Sequence, residues 1–102
     1  MIKHIVLFGL AEEADGRSKS ENARMIKEQI ENLIHLIPQV KKIEVGINAD
    51  DAPAANHDLA IYAEFDSMDD LHIYNIHPEH KKAVAFITKV RTERVAVDYY
   101  SE

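Results

Sequence analysis

Apolar residues along this chain fall into three rhythms, each of which predicts a different element. Residues 2–10 are apolar at nearly every position except Lys3 and His4, the pattern of a strand covered on both faces. A polar loop at 12–17, containing Asp15-Gly16, separates it from Ser18-Lys19-Ser20-Glu21, whose S-x-x-E spacing is a capping box that opens a helix. Ile26, Ile30, Leu33, Ile34 and Ile37 then recur on one helical face. Pro38 ends that helix, because the residue before a proline is pushed out of the helical region, so the helix is expected over about 19–37.

Strict alternation follows. Ile43, Val45 and Ile47 alternate with Lys42, Glu44 and Gly46, predicting a strand with one buried face. A long Pro-containing loop at 49–56 leads to a further strand, with Leu59, Ile61, Ala63 and Phe65 on one side and Ala60, Tyr62 and Glu64 on the other. Ser67 caps a short helix whose first turn holds Asp69 and Asp70, favourable at the positive end of the helix dipole. It yields at Ile76-His77 to another helix that starts on Pro78, where the missing N–H costs nothing, and carries Ala83, Val84, Ile87 and Val90 as its stripe. Val95, Ala96, Val97 and Tyr99 make a last strand.

The order strand, helix, strand, strand, split helix, strand implies an α+β ferredoxin-like βαββαβ unit, with helices on one face of the sheet. One face then stays open, yet the first strand is apolar on both sides. A contiguous exposed patch of that kind is unusual for a monomer. Covering it with the sheet of a second copy would give a homodimer with a barrel-like core. The competing expectation is a small cluster beneath the loop at 49–57.

Composition narrows the partners. The chain has no cysteine, which excludes disulfides and thiolate metal sites and makes the cytoplasm the expected location. Its 12 basic and 18 acidic residues give a net charge of −6, which weighs against nucleic acid or an anionic membrane as partner. The N-terminal apolar run is strand-sized, far short of the roughly 18 residues of a membrane span. There is no Gly-rich phosphate loop and no G-x-S-x-G elbow, so nucleotide-dependent chemistry is disfavoured.

The candidate chemistry gathers in Tyr74-Asn75-Ile76-His77-Pro78-Glu79-His80, where a hydroxyl and imidazoles lie at the start of a helix. His80 falls on the inner stripe in the first turn, where the helix dipole lowers an imidazole pKa. It is either a general base or a residue that docks the helix on the sheet. Tyr74 can donate its hydroxyl to a carbonyl, or fill the core with its ring. His4, among apolar neighbours on the first strand, is a structural histidine or a binding group. Asp98, alone in an apolar strand, is either solvated or paired with His80 or His4. His77 is expected to cap or turn the chain. His57 and Asp58 read as exposed loop residues, and His35 and His72 as helix-surface residues. No H-x-x-x-H or H-x-H pair occurs among the six histidines, so no metal site is expected.

Taken together, residues 2–8, Ile37-Pro38, Phe65-x-Ser67, Tyr74-x-x-His77-Pro78-x-His80 and Val95-x-Val97-Asp98-Tyr99 resemble the stress-responsive A/B barrel (Dabb) family. The resemblance spans nearly the whole chain and implies one domain, 1–102, that forms a dimeric α+β barrel. Most members have no established activity. A plant branch cyclises polyketides by aldol chemistry without metal or organic cofactor. Its working histidine, tyrosine and histidine correspond to His4, Tyr74 and His80. By that resemblance His80 would be the base, Tyr74 the carbonyl polariser, His4 a binding or orienting group, and Asp98 the partner of His80. The related antibiotic-biosynthesis monooxygenases share a similar H-P-x-H turn. Some plant members also hold a divalent ion on backbone carbonyls, which would fall at 35–38.

Three functions follow as expectations: a homodimer binding a small apolar or aromatic molecule between sheet and helices, a cofactor-independent cyclase, lyase or monooxygenase using His80 and Tyr74, and a purely structural stress protein. No cofactor is expected for any of them.

Overall fold

In the computed structural model, which describes residues 1–101, four antiparallel strands form one sheet and three α-helices cover one of its faces. In chain order the elements are β1 (Ile2–Leu10), β2 (Glu13–Ala14), β3 (Arg17–Ser18), α1 (Lys19–Glu31), β4 (Lys42–Ile47), β5 (Leu59–Phe65), α2 (Met68–Ile76), α3 (Pro78–Val90) and β6 (Arg91–Tyr100). The main sheet runs β4-β5-β1-β6. This is the ferredoxin-like α+β fold, and the two central strands are the ones that begin and anchor its core. No helix among the described residues is long and apolar enough to cross a membrane.

Local signals act where the sequence places them. Ser18 caps α1: its side chain accepts from the Glu21 N–H while the Glu21 carboxylate accepts from the Ser18 N–H at 3.1 Å, a complete capping box. Ser67 caps α2 in the same sense, accepting from the Asp70 N–H at 3.1 Å. His77 closes α2 and opens α3. Its backbone is extended, its Nδ1 accepts from the Glu79 N–H at 3.1 Å, and Pro78 follows in the first turn.

Two local expectations change. The polar stretch at 12–17 is a miniature hairpin, with Glu13 opposite Ser18 and Ala14 opposite Arg17. Asp15 and Gly16 both have positive φ, 53° and 76°, the left-handed pair that a two-residue hairpin turn requires. Buried Asn22 ties this hairpin to α1 by donating to the Ala14 carbonyl at 3.0 Å. Nor does α1 continue to 37. It ends at Glu31 and tightens into a 3-10 turn, Asn32–His35, of the kind that often finishes a helix. Ile26, Ile30, Leu33 and Ile37 keep one buried stripe, while Ile34 is turned outward and 38% exposed. The end of α1 also shields the β4 edge: the Glu31 carboxylate accepts from the Val45 N–H at 2.9 Å and Lys27 donates to the Val45 carbonyl at 2.6 Å.

The sheet separates its residues by parity. Ile2, His4, Val6 and Phe8 of β1 face the helices and are buried, with Leu59, Ile61, Ala63 and Phe65 of β5 beside them. On the open face, register sets Ile5 between Tyr62 and Val97, and Leu7 between Ala60 and Val95. Val95, Val97 and Tyr99 are each more than two-fifths exposed. The loop after β4 reaches only the Leu7 and Ala60 end of this face, where it forms a hollow with Ile47 and Leu59. Gly9 permits a bulge that brings β6 close. A Cβ there would lie 2.6 Å from the Thr92 Oγ1.

Candidate functional site

Strand register builds the first part of the site. His4 and Asp98 are direct cross-strand partners of β1 and β6, and the His4 Nδ1 lies 2.5 Å from the Asp98 Oδ1. His4 is 5% exposed, so its imidazole is sunk among apolar neighbours while the carboxylate on the edge strand remains partly solvated. A carboxylate that accepts from Nδ1 fixes the ring's orientation and leaves Nε2 for another partner. Asp98 is therefore set on His4 and not on His80, where the resemblance placed it. The reason is geometric: opposite residues in an antiparallel pair have adjacent side chains on the same face.

The break between α2 and α3 supplies the second part. Tyr74 ends the buried stripe of α2 and is 1% exposed; His80 lies in the first turn of α3. Their rings are stacked at an angle with centroids 4.2 Å apart, and Tyr74 also packs on Phe65 at 5.0 Å and edge-on to His4 at 6.2 Å. His80 Nδ1 lies 3.2 Å from the Asn75 carbonyl. A carbonyl only accepts, so Nδ1 carries the proton, and a neutral His80 has its lone pair on Nε2. Burial is the main cause that lowers the His80 pKa, with Arg94, His4 and His77 adding to it and the Asn75 carbonyl opposing it. Burial likewise raises the Tyr74 phenol pKa, which keeps its proton in place at neutral pH.

Between these groups and the helices is a cavity of about 440 Å3. Val6, Phe8, Ile61 and Ile87 contribute apolar wall, and His4, Tyr74 and His80 contribute polar atoms. Lys81, Arg91 and Arg94 also line it. Val84, expected in the buried stripe of α3, is 40% exposed and lies on the cavity wall. The hollow under the loop after β4 is larger, about 680 Å3, but it is a broad groove in which His57 is the one titratable group.

His4, Tyr74, His80 and Asp98, the candidate residues of the sequence, fall in one cluster. The two arginines are not among those candidates. Their signal was available for Arg94, which shares the parity of Asp98 and so belongs to the helix-facing side of β6. His35 and His72 are exposed, as expected. His57 and Asp58 are half-buried instead of exposed. Asp58 accepts from the Leu10 N–H at 2.7 Å and from Lys19 at 3.3 Å, and so serves the chain crossing, far from the cluster in function.

The stress responsive A/B barrel domain family matches residues 2–101. The chain belongs to the Dabb family. No curated protein matches this Dabb chain. Among solved structures, a dimeric protein of unknown function from Bacteroides fragilis, with a ferredoxin-like fold, is 39% identical, covers 96% of this chain and 93% of its own, and superposes with a TM-score of 0.82. A dimeric ferredoxin-like protein of unknown function from Thermobifida fusca is 31% identical over 96% of this chain and 88% of its own, TM-score 0.80. The hydroxynitrile lyase of Passiflora edulis shares the fold at 17% identity, over 96% of this chain and 90% of its own, TM-score 0.75.

The lowered His80 pKa has a sign that can be measured. An unfolded histidine takes up its proton near pH 6.5, whereas folded His80 does so only at lower pH. Below about 6.5 the unfolded state therefore binds more protons, and stability falls as the pH drops toward the folded pKa, with no contribution above that window. Long-range 1H–15N spectra should show His80 titrating below the usual imidazole value, and His80→Gln should flatten the acid side of the stability profile. A midpoint at or above the usual value would contradict the burial described here.

Proposed function

We propose that this Dabb protein is a homodimer that binds one small, largely apolar molecule in the cavity of each protomer. The observation that carries this reading is the cavity itself, whose volume lies in the range of small-molecule sites and whose polar atoms converge from β1, α2, α3 and β6 around the apolar side chains of Val6, Phe8, Ile61 and Ile87. The homodimer is supported by the uncovered apolar residues of the open sheet face and by the dimeric Bacteroides fragilis and Thermobifida fusca relatives. A cytoplasmic location belongs to the same reading, supported by a cysteine-free sequence that needs no oxidising compartment.

The neutral fluorescent probe N-phenylnaphthylamine should give a saturable rise in emission with the native protein. Val84→Trp, which fills the cavity from α3 at a position already two-fifths exposed, should abolish that rise without lowering stability. An unsaturable signal, or one unchanged by the substitution, would sink the reading.

A second reading, cofactor-free acid–base catalysis, is favoured by one further observation. Nδ1 is engaged on both His4 and His80, leaving both Nε2 atoms without a protein partner among the described residues. A substrate carbonyl held by the Tyr74 hydroxyl would have its adjacent C–H proton taken by His80 Nε2, with the electron pair moving onto the carbonyl oxygen. The enolate so formed can attack a second carbonyl. Support comes from the residues; the Passiflora edulis lyase supports only the capacity of this fold to house a reaction. His80→Ala should lower any turnover by about 100- to 10,000-fold while the protein stays folded. Unchanged turnover would remove His80 as the base.

A further inference from the structure

The charge around the cavity opposes the charge of the chain. The sequence carries a net −6, yet Lys81, Arg91 and Arg94 line this one cavity and no aspartate or glutamate does. None of the three cations is in an ion pair or a side-chain hydrogen bond among the described residues. Elsewhere Lys19, Lys27, Lys41 and Lys82 have carboxylate partners, while Lys3, Lys42, Lys89 and Arg24 have none among the described residues, so it is the grouping of three cations on one cavity that sets this site apart. Asp98, the carboxylate of β6 on the helix-facing side, is already held by His4. Arg94 is close enough to depress the protonation of His80, so its positive field reaches the polar end of the cavity.

We propose that the ligand is an amphipathic anion, an apolar chain or ring bearing one carboxylate, with its body on Val6, Phe8, Ile61 and Ile87 and its head at Arg91 and Arg94. This rests on the cavity being a ligand site and adds its chemical class. Arginine suits the task because its planar fork binds a carboxylate through two parallel hydrogen bonds and is weakly hydrated. Lys81, Arg91 and Arg94 are exposed at the rim, where a neutral ligand leaves them unpaired and an acid pairs them. The neutral imidazole of His80 contributes no competing charge. The head group at the β6 end also leaves the His80 and Tyr74 end free for the remainder of the ligand.

The test compares phenylbutyrate with its uncharged amide, phenylbutyramide, by titration calorimetry and 1H–15N spectra at neutral pH. A hydrogen-bonded charge contributes enough for the acid to bind about 10-fold tighter than the amide or more. Both ligands should shift resonances of residues lining the cavity. Rising salt should weaken the acid alone. Arg91→Gln with Arg94→Gln should bring the acid down to the affinity of the amide and leave the amide unchanged; both side chains are exposed, and the fold is checked by its spectrum. Equal binding of acid and amide at the cavity would overturn the anion and leave the cavity reading intact. An acid preference that survives the double substitution would also overturn it. Binding of neither, or shifts confined to other surfaces, would overturn the cavity reading and this inference with it.

Discussion

Phe65→Ala should lower the unfolding free energy by about 3–5 kcal/mol, read as a fall in the denaturant midpoint at unchanged slope. Phe65 is the last residue of β5, pairs in register with Ile2 and is fully buried. Its ring packs on Tyr74 at 5.0 Å and edge-on to His4 at 6.4 Å, so the same side chain fills the core and backs the polar cluster. Alanine would lose the transfer energy of the ring and leave a cavity that a sheet anchored on both sides cannot close. Phe65→Leu should recover most of the loss because it restores most of the volume. Histidine resonances should report the second effect: His4 and His80 should shift in the alanine variant far more than His72, which lies on the exposed side of α2. A loss below about 1 kcal/mol would show that the ring is not part of a close-packed core.

Ile5→Asp combined with Val97→Asp should convert the protein from two chains to one by sedimentation equilibrium. The two positions are direct partners on β1 and β6 and lie on the open face, away from the helices. In a dimer built on that face both carboxylates would be buried opposite an apolar surface, at a cost of several kcal/mol per unpaired ion. In a monomer both would sit in water and cost little, so the folded spectrum should persist. Wild-type protein that sediments as one chain, or a double variant that still sediments as two, would remove the sheet-face interface.

Much of this fold was legible because its signals are local. Ser18 and Glu21, Ser67 and Asp70, and His77 with Pro78 each act within a few residues, and alternation alone gave β4 and β5 their two faces. What escaped depended on partners distant in sequence. The Asp15-Gly16 hairpin has arms of two residues, too short to show alternation, and it is held by Asn22 from α1. Asp58 reads as a loop carboxylate until its partners Leu10 and Lys19 are known. The site divides in the same way. Its histidines and tyrosine stand out by residue type, while the choice of His4 over His80 as the partner of Asp98 is set by strand register. Arg91 and Arg94 do not stand out by residue type, since an arginine on an exposed strand is ordinary until a cavity is found beside it, and only the parity Arg94 shares with Asp98 pointed to its side of the sheet.

The His4–Asp98 pair joins positions 94 residues apart. No local structure can hold such a contact: closing a loop of that length costs chain entropy that only the pairing of β6 with β1 offsets. Loosening β6 at its edge of the sheet would therefore free the His4 ring from the carboxylate that orients it, even with Tyr74 and His80 still packed on each other.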